Sequence, residues 1–160
     1  MKKNVLKFII FFGASAALVL IDQLTKMLAY EKLFNKEPVS IINGVLELVY
    51  VENRGAAFGI LQNKQILFYI LTVIVLIVIF FYVSKIDLSY HYVPFFIFLI
   101  FIFSGAIGNF IDRVKNKYVI DFIYFKPIDF PVFNFADICI TIGCILLIFS
   151  LIFVYKGEDI

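Results

Sequence analysis

The chain has 160 residues, of which 63% are hydrophobic and only 16% charged, with a formal net charge of +2. A soluble domain carries about 45–50% apolar and about 25% charged residues, so this chain has too little polar surface to cover a globule in water and is a membrane protein. Its basic residues are scattered rather than blocked, which leaves no electrostatic footprint for a nucleic-acid partner.

Four stretches lack Asp, Glu, Lys and Arg: Phe8–Ile21, Gln65–Ser84, Leu88–Ile111 and Ile138–Tyr155. Crossing a hydrocarbon core takes about 20 helical residues. The spacing predicts transmembrane helices over about 5–28, 65–84, 90–112 and 136–155 of an all-α membrane protein, a single domain spanning 1–160 with no separate soluble unit. Lys2, Lys3 and Lys7 before the first apolar run, with Ala14-Ser15-Ala16 beyond, have the outline of a signal peptide. The apolar stretch before Ala14 is too short for one and continues well past it, so an uncleaved first helix is expected. The three lysines place the N-terminus in the cytoplasm. Four spans return the C-terminus there and turn the links 29–64 and 113–135 outward, although a plain count of Lys and Arg favours the opposite sense.

In the first outward link, Asn43-Gly44 between aliphatic runs signals a two-residue type I′ turn and a small extracytoplasmic β-hairpin. The segment Glu52–Gly59 then has the small residues of a short interfacial helix. In the second link Tyr118–Phe125 is a β-rich run expected to join the same sheet, and Pro127 and Pro131 break the chain before the fourth helix.

In so apolar a chain, ionisable and amide residues at the membrane boundary carry the information. Asp22 and Lys26 stand at i,i+4 spacing near the outer end of the first helix, able to pair. Asn53 and Arg54 lie in the first link; Asn109, Asp112 and Arg113 close the third helix; Asp121 sits in the second link; Asn134 and Asp137 open the fourth helix. Most have a purely structural reading. Asp22 with Lys26 is an ion pair at a helix end, Asn134 with Asp137 is a cap plus an acid suited to the helix dipole, and Asn109, Asp112 and Arg113 form an interfacial anchor. Asp121 resists such a reading, because it interrupts the apolar run Val119–Ile123 where desolvating a carboxylate is costly.

Elimination narrows the chemistry. His91 is the only histidine, so there is no H-E-x-x-H zinc site, and it stands 13 residues from Ser104, which is about 20 Å along a helix and too far for a base. Cys139 and Cys144 share the fourth helix with no base and read as apolar wall. No phosphate-binding glycine loop is present. Carboxylates remain, with Asp121 and Asp137 the pair expected to converge. Two such groups share one proton, so one can activate a water while the other donates to a scissile carbonyl, without metal or cofactor. The same pair also suits a proton or cation relay, and an ion- or proton-coupled transport subunit stands as the alternative.

Five motifs, in order along the whole chain, resemble the lipoprotein signal peptidase (signal peptidase II) family. They are Asp22-Gln23-Leu24-Thr25-Lys26, Asn53-Arg54-Gly55-Ala56-Ala57-Phe58, Gly105-x-x-Gly108-Asn109-Phe110-Ile111-Asp112-Arg113, Val119-Ile120-Asp121-Phe122 and Phe133-Asn134-Phe135-Ala136-Asp137. The resemblance implies an aspartic endopeptidase of the bacterial cytoplasmic membrane, with its site at the outer face. It implies removal of the signal peptide from prolipoproteins by a cut before the diacylglyceryl-modified cysteine, with no cofactor. The partners expected are the lipidated prolipoprotein and membrane lipid, with the enzyme a monomer. The family's catalytic pair falls on Asp121 and Asp137. Its supporting residues fall on Asp22, Lys26, Asn53, Gly55, Gly105, Asn109, Arg113, Val119, Asn134 and Ala136. The hairpin and Phe58 are read as a clamp over the substrate.

Overall fold

The computed structural model describes residues 2–55, 61–87 and 89–156. The apolar runs form α1 (Lys2–Leu33), α2 (Gln65–Lys85), α3 (Val93–Asn116) and α4 (Phe135–Phe153), all four long and apolar enough to cross a membrane. α3 is the central helix and packs against the other three. Half of its apolar window is buried, whereas α2 turns most of its length outward, with Ile66 and Ile77 well exposed. Exposed aliphatic side chains suit a bilayer, where lipid tails replace the core of a globule.

Local signals set the helix ends. Pro94 occupies the first turn of α3, where its missing N–H would be unpaired anyway. Lys117 ends that helix in the left-handed conformation (φ 68°). The 32 residues of α1 measure roughly 48 Å at 1.5 Å per residue, well beyond a core of about 30 Å. The hydrophobic run ends near residue 28, yet the helix continues to Leu33 because Ala29 and Leu33 are buried against Ile120 and Phe122. Tertiary packing thus extends the helix past its apolar segment, and the overhanging end carries a sheet.

That sheet comprises β1 (Val39–Ile42), β2 (Leu46–Asn53) and β3 (Val119–Phe125), antiparallel in the order β1-β2-β3. The hairpin and the joining of the second link agree with the sequence reading, but the turn type differs. The connection is Asn43–Val45, closed by a Val45 N to Ile42 O bond of 2.9 Å, and only Gly44 (φ 73°) lies in the left-handed region. A type I′ turn needs two positive φ values; one at the second central position is the type II pattern. Asn53 pairs with Val119 and Val51 with Asp121. Of the predicted interfacial helix, residues 56–60, including Phe58, lie outside the described residues.

A main apolar cluster around Phe11, Phe96, Leu99 and Val83 fills the half of the bundle away from the sheet. There the buried Lys7 donates to the carbonyls of Ser84 (3.1 Å) and Ile86 (2.8 Å), tying α1 to the C-terminal end of α2.

Candidate active site

Two structural accidents of sequence bring Asp121 and Asp137 together. β3 delivers Asp121 from the sheet, and Phe133 pairs with Ile123, folding the chain back so that α4 starts beside β3. Asn134 caps α4: its Oδ1 accepts from the Asp137 amide (3.0 Å), and Asp137 Oδ2 accepts from the Asn134 amide (3.1 Å). The cap read from sequence is therefore present, and it does more than end a helix. With its Oδ1 committed, the Asn134 amide turns Nδ2 to Asp121 Oδ1 (2.6 Å) and to Asn109 Oδ1 (3.1 Å). The remaining carboxylate oxygens are also held, Asp121 Oδ2 by Asn53 Nδ2 and Asp137 Oδ1 by Asn109 Nδ2, both at 2.8 Å. Each aspartate thus accepts a bond at both oxygens, which fixes its rotamer.

Asp121 is buried and Asp137 half-buried, and both line one cavity of about 510 Å³. Burial, followed by the nearby Asp137 charge, pushes the Asp121 carboxyl up to about 7, against the lowering pull of the Asn53 and Asn134 bonds and the Lys26 charge. A carboxyl that keeps its proton near neutrality beside a second carboxylate is the arrangement of an acid–base pair. The rest of the wall is mainly apolar, with Phe68, Phe130, Ile138 and Ile142. Arg113 also faces the cavity, stacked 4.5 Å from the Phe68 ring, with Nη2 donating to the Gly55 carbonyl (3.3 Å).

Beneath the pair lies a buried ionic cluster. Lys26 Nζ meets Asp22 Oδ2 (3.0 Å), Asp112 Oδ2 (3.1 Å) and Asn109 Oδ1 (3.0 Å), which uses all three of its N–H groups. Gln23 Nε2 bridges Asp22 (3.1 Å) and Asp112 (3.0 Å). Asp22 accepts from the Ala136 amide (3.0 Å) and Asp112 from the Ile120 amide (3.1 Å).

Asp22, Lys26, Asn53, Asn109, Asn134 and Ala136 are joined to the two aspartates by this network, while Gly55, Arg113 and Val119 line the cavity. Gly105 stands apart from the cavity. A side chain there would collide with the Ala136 carbonyl and Ile140, so it is the contact that lets α4 close on α3. Gln23 and Asp112 carry more than sequence reasoning gave them. Asp112 read as an interfacial anchor, but its side chain turns inward and is buried. The signal available was that α3 presents Gly105, Asn109 and Asp112 at 3–4-residue spacing, one polar and small face on an apolar helix.

Residues 14–153 match the signal peptidase (SPase) II family. The lipoprotein signal peptidase of Clostridium tetani is 39% identical over 152 residues, 88% of each chain, and that of Caldanaerobacter subterraneus subsp. tengcongensis is 46% identical over 141 residues, 86% of this chain and 92% of the relative. Among solved structures, a bacterial membrane enzyme determined by the in meso method at 2.3 Å superposes with a TM-score of 0.82 at 34% identity, covering 94% of this chain and 93% of the other. A second, at 1.9 Å, gives 0.79 at 36% identity over 90% and 93%. With a matched region that takes in all five motifs and the whole polar network, the chain belongs to the signal peptidase II family.

Proposed function

We propose that this protein is an aspartic endopeptidase that removes the signal peptide from diacylglyceryl-modified prolipoproteins, cutting before the lipidated cysteine. The observation that carries the reading is the convergence of Asp121 and Asp137 on one cavity, cross-linked through Asn134. Asp121, its carboxyl at about 7, holds the proton shared by the pair and donates it to the scissile carbonyl oxygen. Asp137 takes a proton from the attacking water and passes it to the departing cysteine nitrogen, and as the gem-diol collapses one of its hydroxyls returns a proton to Asp121, leaving the signal peptide with a new carboxylate and the pair restored. Asn53, Asn109 and Asn134 orient the pair, while Arg113 holds the substrate backbone or meets lipid ester oxygens.

The largely apolar cavity suits a lipidated substrate. A further apolar groove of about 670 Å³ lies deeper between α2 and α4, over Leu99 and Ile102 of α3, where the apolar helix of a signal peptide finds a complementary wall. With the N-terminus cytoplasmic, the pair lies at the outer edge of the hydrocarbon.

The test is a gel-shift cleavage assay in detergent or liposomes with a verified diacylglyceryl prolipoprotein, for wild type, Asp121→Asn and Asp137→Asn. Wild type is expected to cleave with or without EDTA, and each folded variant to lose at least about 100–10,000-fold. Full activity in either variant refutes the dyad, and an inert wild type returns the ion-transport alternative.

A further inference from the structure

The two amides gripped by the ionic cluster have a particular place in the chain. Ile120 immediately precedes Asp121, and Ala136 immediately precedes Asp137. The Ile120 N–H is held by Asp112 Oδ2 rather than left at the start of β3, and the Ala136 N–H is one of the orphan donors of the first turn of α4, held by Asp22 Oδ1. Each acceptor carboxylate is in turn bound to the same ammonium, Lys26, and to the same amide, Gln23. The backbone ahead of each aspartate therefore hangs from a common post of α1 and α3 residues. A Cα lies 3.8 Å from its neighbour, so fixing one peptide fixes the next side chain closely.

We propose that Asp112, acting through Lys26 and the Ile120 amide, is a positioning residue that sets the placement of Asp121 relative to Asp137, with Asp22 its counterpart for Asp137. This rests on the reading of the two aspartates as the catalytic pair. Two features support positioning over a general contribution to packing. The cluster contacts the sheet and α4 at the residues adjoining the pair, and Lys26 has no N–H left after Asp22, Asp112 and Asn109, the last of which holds Asp137 directly. Displacement of reacting groups by about 1 Å is enough to cost roughly 100-fold in rate.

The experiment compares wild type, Asp112→Asn, Asp112→Leu, Gln23→Leu and Asp121→Asn for kcat and KM on a lipidated prolipoprotein, with thermal unfolding in detergent as the folding check. Asp112→Asn keeps an oxygen for the Ile120 amide and Lys26 but removes the charge facing Lys26 and turns an NH2 toward Gln23, and kcat about tenfold below wild type is expected, the loss of about one hydrogen bond to a charged group. Asp112→Leu offers no acceptor, and kcat is expected to fall about 100-fold with KM changed less than about threefold. A folded Asp112→Leu with wild-type kcat, or an Asn variant as impaired as the Leu variant, overturns the proposal. If Asp112→Leu does not fold, Gln23→Leu decides: a kcat about fivefold lower at constant KM supports positioning, and an unchanged kcat overturns it. Full activity in Asp121→Asn would instead refute the dyad reading itself.

Discussion

An alanine at Gly108 would place a methyl carbon 2.5 Å from Asp22 Oδ2, 3.0 Å from its Cγ and 3.3 Å from the Ala136 Cβ. Ordinary contact begins near 3.4 Å, so Asp22 must retreat by roughly 0.9 Å or α3 must move away from α1 by as much. Asp22 is bound at 3.0 Å to both Lys26 and the Ala136 amide. Stretched by that distance, both bonds pass the ~3.2 Å limit of a useful hydrogen bond. Bonds to a charged group are worth about 1.5–3 kcal/mol each, while the higher helix propensity of alanine returns only about 0.5–1 kcal/mol. The steric effect wins, and a net loss of about 2–5 kcal/mol in stability is expected. Loss of the Asp22 bond releases the Ala136 amide next to Asp137 and should also lower kcat about 100-fold. Thermal unfolding in detergent and cleavage kinetics check both numbers, with Gly13→Ala as the control because a methyl there meets nothing within 4 Å. Wild-type melting and kcat in Gly108→Ala would show that the α1–α3 contact yields without cost, and the reasoning would fail.

Two further outcomes follow from the titration of the pair. Because the Asp121 carboxyl is raised to about 7, its proton is present below that pH and lost above it, so kcat/KM should fall on the alkaline side with an apparent value near 7 that belongs to the pair; a profile flat to about pH 9 contradicts this. The Asn53 bond holds the Asp121 value down, so Asn53→Ala should move the alkaline limb upward while lowering kcat about tenfold, and a downward move would refute the assignment of that bond.

The layout of the membrane helices was legible because a spanning helix announces itself by composition alone, and β3 was legible from its β-branched and aromatic run. The clustering of polar residues at one boundary was legible for the same reason: a carboxylate in an apolar stretch demands a partner. Partner choice was not. The Asp22 to Ala136 bond joins residues 114 positions apart, and spacing within one element says nothing about which neighbour supplies the amide. Asp112 misled because the end of α3 looks like a membrane interface, whereas the sheet carried on α1 covers it and makes it interior. The end of α1 was misjudged on the same ground, since burial of Ala29 and Leu33 against the sheet overrides the loss of local hydropathy.

The height of the site in the bilayer follows from helix length. Asp137 is the third residue of α4, and the 19 residues of that helix span roughly 28 Å, close to the thickness of a fluid hydrocarbon layer. With the proposed orientation, the two aspartates read as the catalytic pair stand at the rim of the slab, within reach of water. A membrane a few ångströms thicker must thin around the bundle or draw the pair below the headgroups, and either costs a fraction of a kcal/mol per ångström. On that reading, bilayer thickness, set by acyl length and temperature, is expected to tune the water supply to the proposed pair without touching a single side chain.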